Sequence, residues 1–161
     1  MARTFSLHAE QLVPRDLETT FAFFADAGNL QRITPPWLDF TVTSELPIIM
    51  RPGAIIEYKL KVHGIPIRWR SVVSHWDPPR EFVDEQVHGP YTMWHHRHRF
   101  TETPEGTLVE DEVRYRVPGG ALANLFVQRD LSRIFSFRQQ ALLHALEITS
   151  PAASSLAFGS I

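Results

Sequence analysis

Cysteine is absent from this chain, which excludes disulfide crosslinks and thiolate chemistry. Lysine is scarce, since 14 of the 16 basic residues are arginine. Neither sign of charge prevails: the formal net charge is −2, too small to draw nucleic acid or a membrane surface by bulk attraction. No apolar run approaches the ~18 residues of a membrane span, and the start, Met1-Ala2-Arg3-Thr4-Phe5, has no long apolar region. A soluble cytoplasmic protein is the resulting expectation. Also missing are a nucleophile elbow, a phosphate loop, a dinucleotide fingerprint and zinc-finger spacing. What is present is 161 residues, 43% hydrophobic, without a low-complexity tract, which suits one domain with a substantial core.

The local pattern predicts a strand from about Arg3 to Val13, broken at Pro14, and a helix capped by Asp16 with Leu17, Phe21, Phe24 and Ala25 as its apolar stripe, ending at Gly28. A short second helix over Asn29–Ile33 stops before Pro35-Pro36. Six strand-like segments follow with short links, near Phe40–Leu46, Ala54–Val62, Ile67–Trp76, Phe82–Val87, Tyr91–Phe100 and Leu108–Val117, which favours an antiparallel meander. After Pro118-Gly119-Gly120 a long helix is expected to run to about Ile148. Its stripe is Val127, Leu131, Ile134, Arg138, Leu142 and Ala145, while Leu122, Leu125 and Phe126 fall on nearly the opposite side, so the helix bends there or its first turns pack elsewhere. The small, polar stretch after Thr149 is expected to be disordered, leaving 1–148 as the folded domain.

Three of the eight histidines fall within Tyr91–Phe100. Strand periodicity puts Trp94, His96, His98 and Phe100 on one face and Tyr91, Met93, His95, Arg97 and Arg99 on the other. The next strand has an inward face of Val109, Asp111, Val113, Tyr115 and Val117, apolar except for one carboxylate. With Phe100 beside Val109, Asp111 lies opposite His98; a register two residues tighter puts it opposite His96. An inward carboxylate is costly unless paired, so His96, His98 and Asp111 form either an acid/base or orienting group for a bound molecule or a self-satisfied structural network. Arg138, in the middle of an apolar stripe, needs a carboxylate or an open space, and Asp111 and Asp84 are its natural partners. His-x-His on a strand could present two imidazoles to a metal, but no third imidazole accompanies it, and no metal is expected. Arg68, Arg70, Arg97, Arg99, Arg114 and Arg116 face outward, either as a basic patch for an acidic partner or as partners of outward Glu57, Glu110 and Glu112.

The order strand, two short helices, six strands and long helix resembles the helix-grip fold of the START-like (SRPBCC) superfamily, which includes Bet v 1-like, polyketide cyclase and coenzyme Q-binding proteins. Gly89-Pro90-Tyr91 followed by Trp94, His96, His98 and Phe100 is similar to its bacterial ligand-binding members, as are Phe82-Val83-Asp84-Glu85-Gln86 and Pro118-Gly119-Gly120. The resemblance implies an α+β fold of about seven curved strands gripping the C-terminal helix around a cavity. A small hydrophobic or amphipathic ligand such as a lipid, polyketide or quinone would then be the partner, with no cofactor and no nucleic acid. The expected wall is Trp69, Trp94, Tyr115 and Phe135, and the expected anchors are His96, His98, Asp111 and Arg138, with Asp84 beside them. An enzyme using His and Asp as acid and base, a cyclase, dehydratase or hydrolase, is the second reading, and an interaction module using the arginine face is the third.

Overall fold

The computed structural model describes residues 2–150 and 152–161. Its sheet is antiparallel, built from β1 (Phe5–Val13), β2 (Thr41–Val42), β3 (Ile55–Val62), β4 (Ile65–Asp77), β5 (Glu81–His88), β6 (Met93–Thr103), β7 (Gly106–Arg116) and β8 (Ser154–Ser160). The spatial order is β2-β3-β4-β5-β6-β7-β1-β8. Helices α1 (Leu17–Ala25) and α2 (Gly120–Ala145) and two 3₁₀ segments, Ala27–Ile33 and Pro36–Leu38, complete the fold. The sheet curves around α2, as the helix-grip resemblance implies. No helix among the described residues is long and apolar enough to cross a membrane.

Each element follows from local chemistry. Buried residues alternate along β1, where Phe5, Leu7, Ala9, Gln11 and Val13 point inward. Asp16 caps α1 by accepting from Thr19 N at 2.8 Å. In β4 the inward series Trp69, Ser71, Val73 has even spacing, yet Trp76 also packs inward. A register shift between Val73 and His75 inserts Ser74 as an extra residue and resets the alternation.

Four expectations need correction. The sheet has eight strands, because the tail expected to be disordered forms β8 on the open edge of β1. Leu156 and Phe158 alternate along it and pack on the core, and the edge of β1 gains a partner for its backbone groups. The strand expected over Phe40–Leu46 shrinks to two residues, since Thr43 N and Ser44 N both donate to Glu57 O while Ser44 Oγ accepts from Glu57 N. The second short helix is a 3₁₀ segment, longer than expected and capped by Asp26. Finally, Leu122, Leu125 and Phe126 neither bend the helix away nor find a packing partner: they face solvent at 74%, 63% and 72% exposure.

The core has two apolar parts separated by a polar belt. One contains Leu7, Trp69, Trp94, Tyr115 and Phe135; the other contains Val13, Phe21, Phe82, Phe100 and Leu142. Between them five elements contribute polar residues: Gln11 from β1, Asp84 from β5, His96 and His98 from β6, Asp111 from β7, and Arg138 and Gln139 from α2. Gln139 ties α2 to the sheet, donating to Glu10 O and Ser155 O while its carbonyl accepts from Gln11 Nε2 at 2.7 Å.

Candidate functional site

The belt opens into a cavity of about 630 Å³ between the sheet and α2. Its wall is mostly apolar, with Tyr58, Trp69, Trp94, Val127, Ile134 and Phe135 among the lining residues. Trp69 satisfies its indole N–H on Ser71 Oγ at 2.9 Å, so the ring can stand in an apolar wall without an orphan donor. Asp84, His96, His98 and Arg138 form the polar spot on that wall.

The register settles the open question of the histidine strand: Phe100 pairs with Val109 and His98 with Asp111, while on the other side Asp84 pairs with His96. The side chains then cross over. Asp84, opposite His96, makes its short contact with His98 Nε2 at 2.6 Å; Asp111, opposite His98, makes its short contact with His96 Nε2 at 2.7 Å. The longer contacts, between the directly paired residues, are His96 Nδ1 to Asp84 Oδ2 at 4.0 Å and His98 Nδ1 to Asp111 Oδ1 at 3.3 Å, the latter too bent for a hydrogen bond. Both imidazoles therefore span the same two carboxylates. Their rings stack at 3.7 Å, and Phe82 continues the column against His98 at 4.1 Å.

Arg138 has Asp111 as its partner, with Nη2 3.8 Å from Oδ1, beyond hydrogen-bond reach. Its guanidinium lies near the rings of Phe24 and Phe135. The charges follow from burial and pairing. Burial alone would raise the Asp111 pKa, but the Arg138 charge and the two imidazoles hold it well below the usual carboxylate range. Burial likewise opposes ionisation of Asp84, but its bond to His98 together with the charges of His96, His98 and Arg138 outweighs this, leaving the pKa lowered. Burial disfavours an imidazolium at His98, yet Asp111 and Asp84 together raise its pKa. At His96, burial and the neighbouring His98 charge win, and the pKa falls. The consistent state is two carboxylates, one guanidinium and one imidazolium on His98, with no net charge. Neutral His96 then donates from Nε2 to Asp111 and keeps a lone pair on Nδ1, on the Asp84 side.

Several expected site residues change place. Trp69, Trp94, Phe135, His96, His98 and Arg138 line the cavity, and so does Asp84. Tyr115 does not line it: it is fully buried behind Trp94, and burial raises its phenol pKa. Asp111 also lies behind the lining, reached through the histidines and Arg138. Tyr91, which strict alternation sends to the outer face, lines the cavity against Trp69 and Trp94. Alternation fails there because Tyr91 precedes β6 in a bend, held by Gln86, whose side chain donates to Tyr91 O and accepts from Tyr91 N. Burial raises the phenol pKa of both Tyr91 and Tyr58. Period-two spacing along β3 places Tyr58 on one face with Ile56 and Leu60; for Tyr91 and Ile134 no local signal separates cavity from core.

The outer arginines are mostly paired: Arg70 with Glu57, Arg97 with Glu81 and Arg114 with Glu112, each at 2.7–2.9 Å. The first two are the cross-strand pairing alternative, and the third runs along β7. Among the described residues, two groups could hold a cation: Asp84, His96 and His98, whose donor atoms lie within 4.8 Å of one another, and the more exposed His8, Glu10 and Glu110.

The architecture has many solved counterparts. The aromatase/cyclase Zhui from Streptomyces sp. R1128 superposes with a TM-score of 0.72 at 15% identity, covering 89% of this chain and 94% of that one. Protein Ms6760 from Mycobacterium smegmatis gives 0.67 at 18% identity, covering 88% and 90%. The di-domain aromatase/cyclase StfQ of the steffimycin biosynthetic pathway gives 0.68 at 15% identity, with 87% of this chain matching 49% of that one. At these identities the likeness is one of fold. Comparison with curated proteins returns no match. The family model for polyketide cyclase/dehydrase and lipid transport matches residues 13–137, and on that match the chain belongs to this family.

Proposed function

We propose that this protein binds a small amphipathic molecule whose apolar rings or chain fill the cavity and whose polar oxygen group meets Asp84, His96, His98 and Arg138. The observation that carries this reading is a cavity of about 630 Å³ with aromatic walls and one polar cluster, a size and chemistry typical of ligand sites. The names of the similar aromatase/cyclases support a ring-bearing ligand such as a polyketide, with quinones and lipids as the other members of the class. Native mass spectrometry of freshly purified protein in EDTA should detect a co-purified organic molecule of that class. A hydrophobic fluorescent probe should bind and quench Trp69 and Trp94, and Ile134→Trp, which fills the cavity, should abolish probe binding. Probe binding unchanged by Ile134→Trp would place the ligand elsewhere and defeat the proposal.

A second reading, acid/base catalysis on that ligand, is supported by the short contacts from each histidine to a carboxylate, with neutral His96 as base and His98 as acid. It requires turnover that collapses in His98→Ala while probe binding persists; full turnover in that variant would dismiss it.

A further inference from the structure

We propose that Asp84, His96 and His98 form a binding site for a divalent first-row transition ion, zinc being the simplest, with open coordination positions toward the cavity. The absence of a third imidazole argued against a metal as long as Asp111 was the carboxylate considered. The geometry assigns a different carboxylate. His96 Nδ1 and His98 Nε2 both point at Asp84 Oδ2, at 4.0 and 2.6 Å. Metal bonds of about 2.0–2.1 Å require separations between neighbouring donors of about 3.0–3.4 Å, and the two observed distances bracket that range. Release to solvent of the proton held between His98 Nε2 and Asp84, with small side-chain shifts, therefore converts this contact into a coordination site.

The surroundings fit this assignment on the Asp84 side and not on the other. Each histidine turns its second ring nitrogen toward Asp111 Oδ1, at 2.7 Å for His96 and 3.3 Å for His98. A carboxylate behind the ligating imidazole is the arrangement that orients metal-binding histidines and makes them better donors. Asp111 is in turn faced by Arg138 at 3.8 Å, which repels a second cation from that side; no Lys or Arg among the described residues comes within 4 Å of Asp84. His98 Nδ1 is buried without a hydrogen bond, a defect that a small rotation about a bound ion, bringing Nδ1 into line with Asp111, would repair. Two imidazoles, one carboxylate and free positions suit Zn²⁺ or Fe²⁺, and Asp84 is exposed enough to the cavity for a ligand oxygen to complete the shell. Such an ion would hold a carbonyl or enolate oxygen of the molecule proposed above. The site shares that cavity, but its test uses metal alone.

The experiment is a zinc titration of EDTA-stripped protein against a chelating indicator, in a His8→Ala background that removes the exposed donor group. One Zn²⁺ per chain should remain, Asp84→Asn should weaken it at least about 100-fold, and Asp111→Asn by about 10–100-fold. X-ray absorption on the zinc-loaded wild type should show two imidazoles, which keeps the proposal testable if a variant misfolds. Loss of zinc binding in His8→Ala, undiminished binding in Asp84→Asn, or a single-imidazole shell would overturn it. None of these outcomes bears on ligand capture, which is measured in EDTA.

Discussion

On one side of the polar belt Phe21, Phe24, Phe82 and Phe100 meet one another at centroid distances of 5.1–6.1 Å, and Val13, Val109 and Leu142 close the spaces between them. On the other side Tyr58, Trp69, Tyr91 and Trp94 also touch one another, at 4.7–5.7 Å, but turn a face to the cavity. Both halves are aromatic and both are gripped by α2. They differ in what backs them: α1 lies over the phenylalanine half, with Phe21 and Phe24 filling it, whereas the tryptophan half looks across a gap at Val127, Leu131, Ile134 and Phe135 of α2 and at Ile33, Trp37 and Leu38 of the 3₁₀ segments. The first half is filled, with Phe24, Ile33 and Phe82 at its edge reaching the cavity, and should carry stability; the second is left open, where the ligand proposed above would sit.

The largest test of this contrast pairs Phe100→Ala with Ile134→Ala. The first opens a void in a filled region and should cost about 3–5 kcal/mol in denaturant unfolding; the second enlarges an existing cavity and should cost below about 1 kcal/mol. Equal losses would erase the distinction. Next is Asp111→Asn, which strips the buried carboxylate from Arg138 and from the His98 imidazolium. Breaking a buried pair in this way should cost about 3 kcal/mol, and a cost under about 1 kcal/mol would mean the belt is open to water. Gln139→Ala removes the link from α2 to β1 and β8 and should cost about 1–2 kcal/mol, with faster hydrogen exchange concentrated at the amides of β8. Uniform acceleration over the sheet would contradict a local role. The smallest effect belongs to Asp130→Asn, which breaks the exposed His63–Asp130 contact of 2.8 Å between the β3–β4 turn and α2. Stability should change by about 0.5 kcal/mol or less, while release of a cavity probe, followed by tryptophan fluorescence, should quicken. An unchanged release rate would show that this contact does not hold the cavity edge.

Alternation along β3, β4, β6 and β7, the Asp16 cap and the stripe on α2 were legible because each depends on neighbours within a turn or a strand. The same local rule placed Trp94, His96 and His98 on one wall and Asp111 across from them. It misplaced Tyr91, where the chain is not yet a strand, and it made a loose tail of β8, whose few apolar residues matter only once β1 offers an edge. The sequence also brought Asp84 into view for the wrong partner. Residues 84 and 98 are brought together by the β5–β6 pairing, and which carboxylate meets which imidazole depends on a diagonal crossing that a register alone does not reveal.

By itself, then, the sequence determined the succession of elements as far as α2, the α+β class, and the identity of most polar groups on the inner face, because periodicity and capping are short-range. The tertiary structure decided which of those groups touch the cavity and which stand behind it. It put Asp84 in the wall and Asp111 behind the histidines, and it balanced four buried charges around them. It also closed one half of the core and left the other open. These are consequences of packing α1 and α2 against a curved sheet, where residues far apart in the chain compete for the same space.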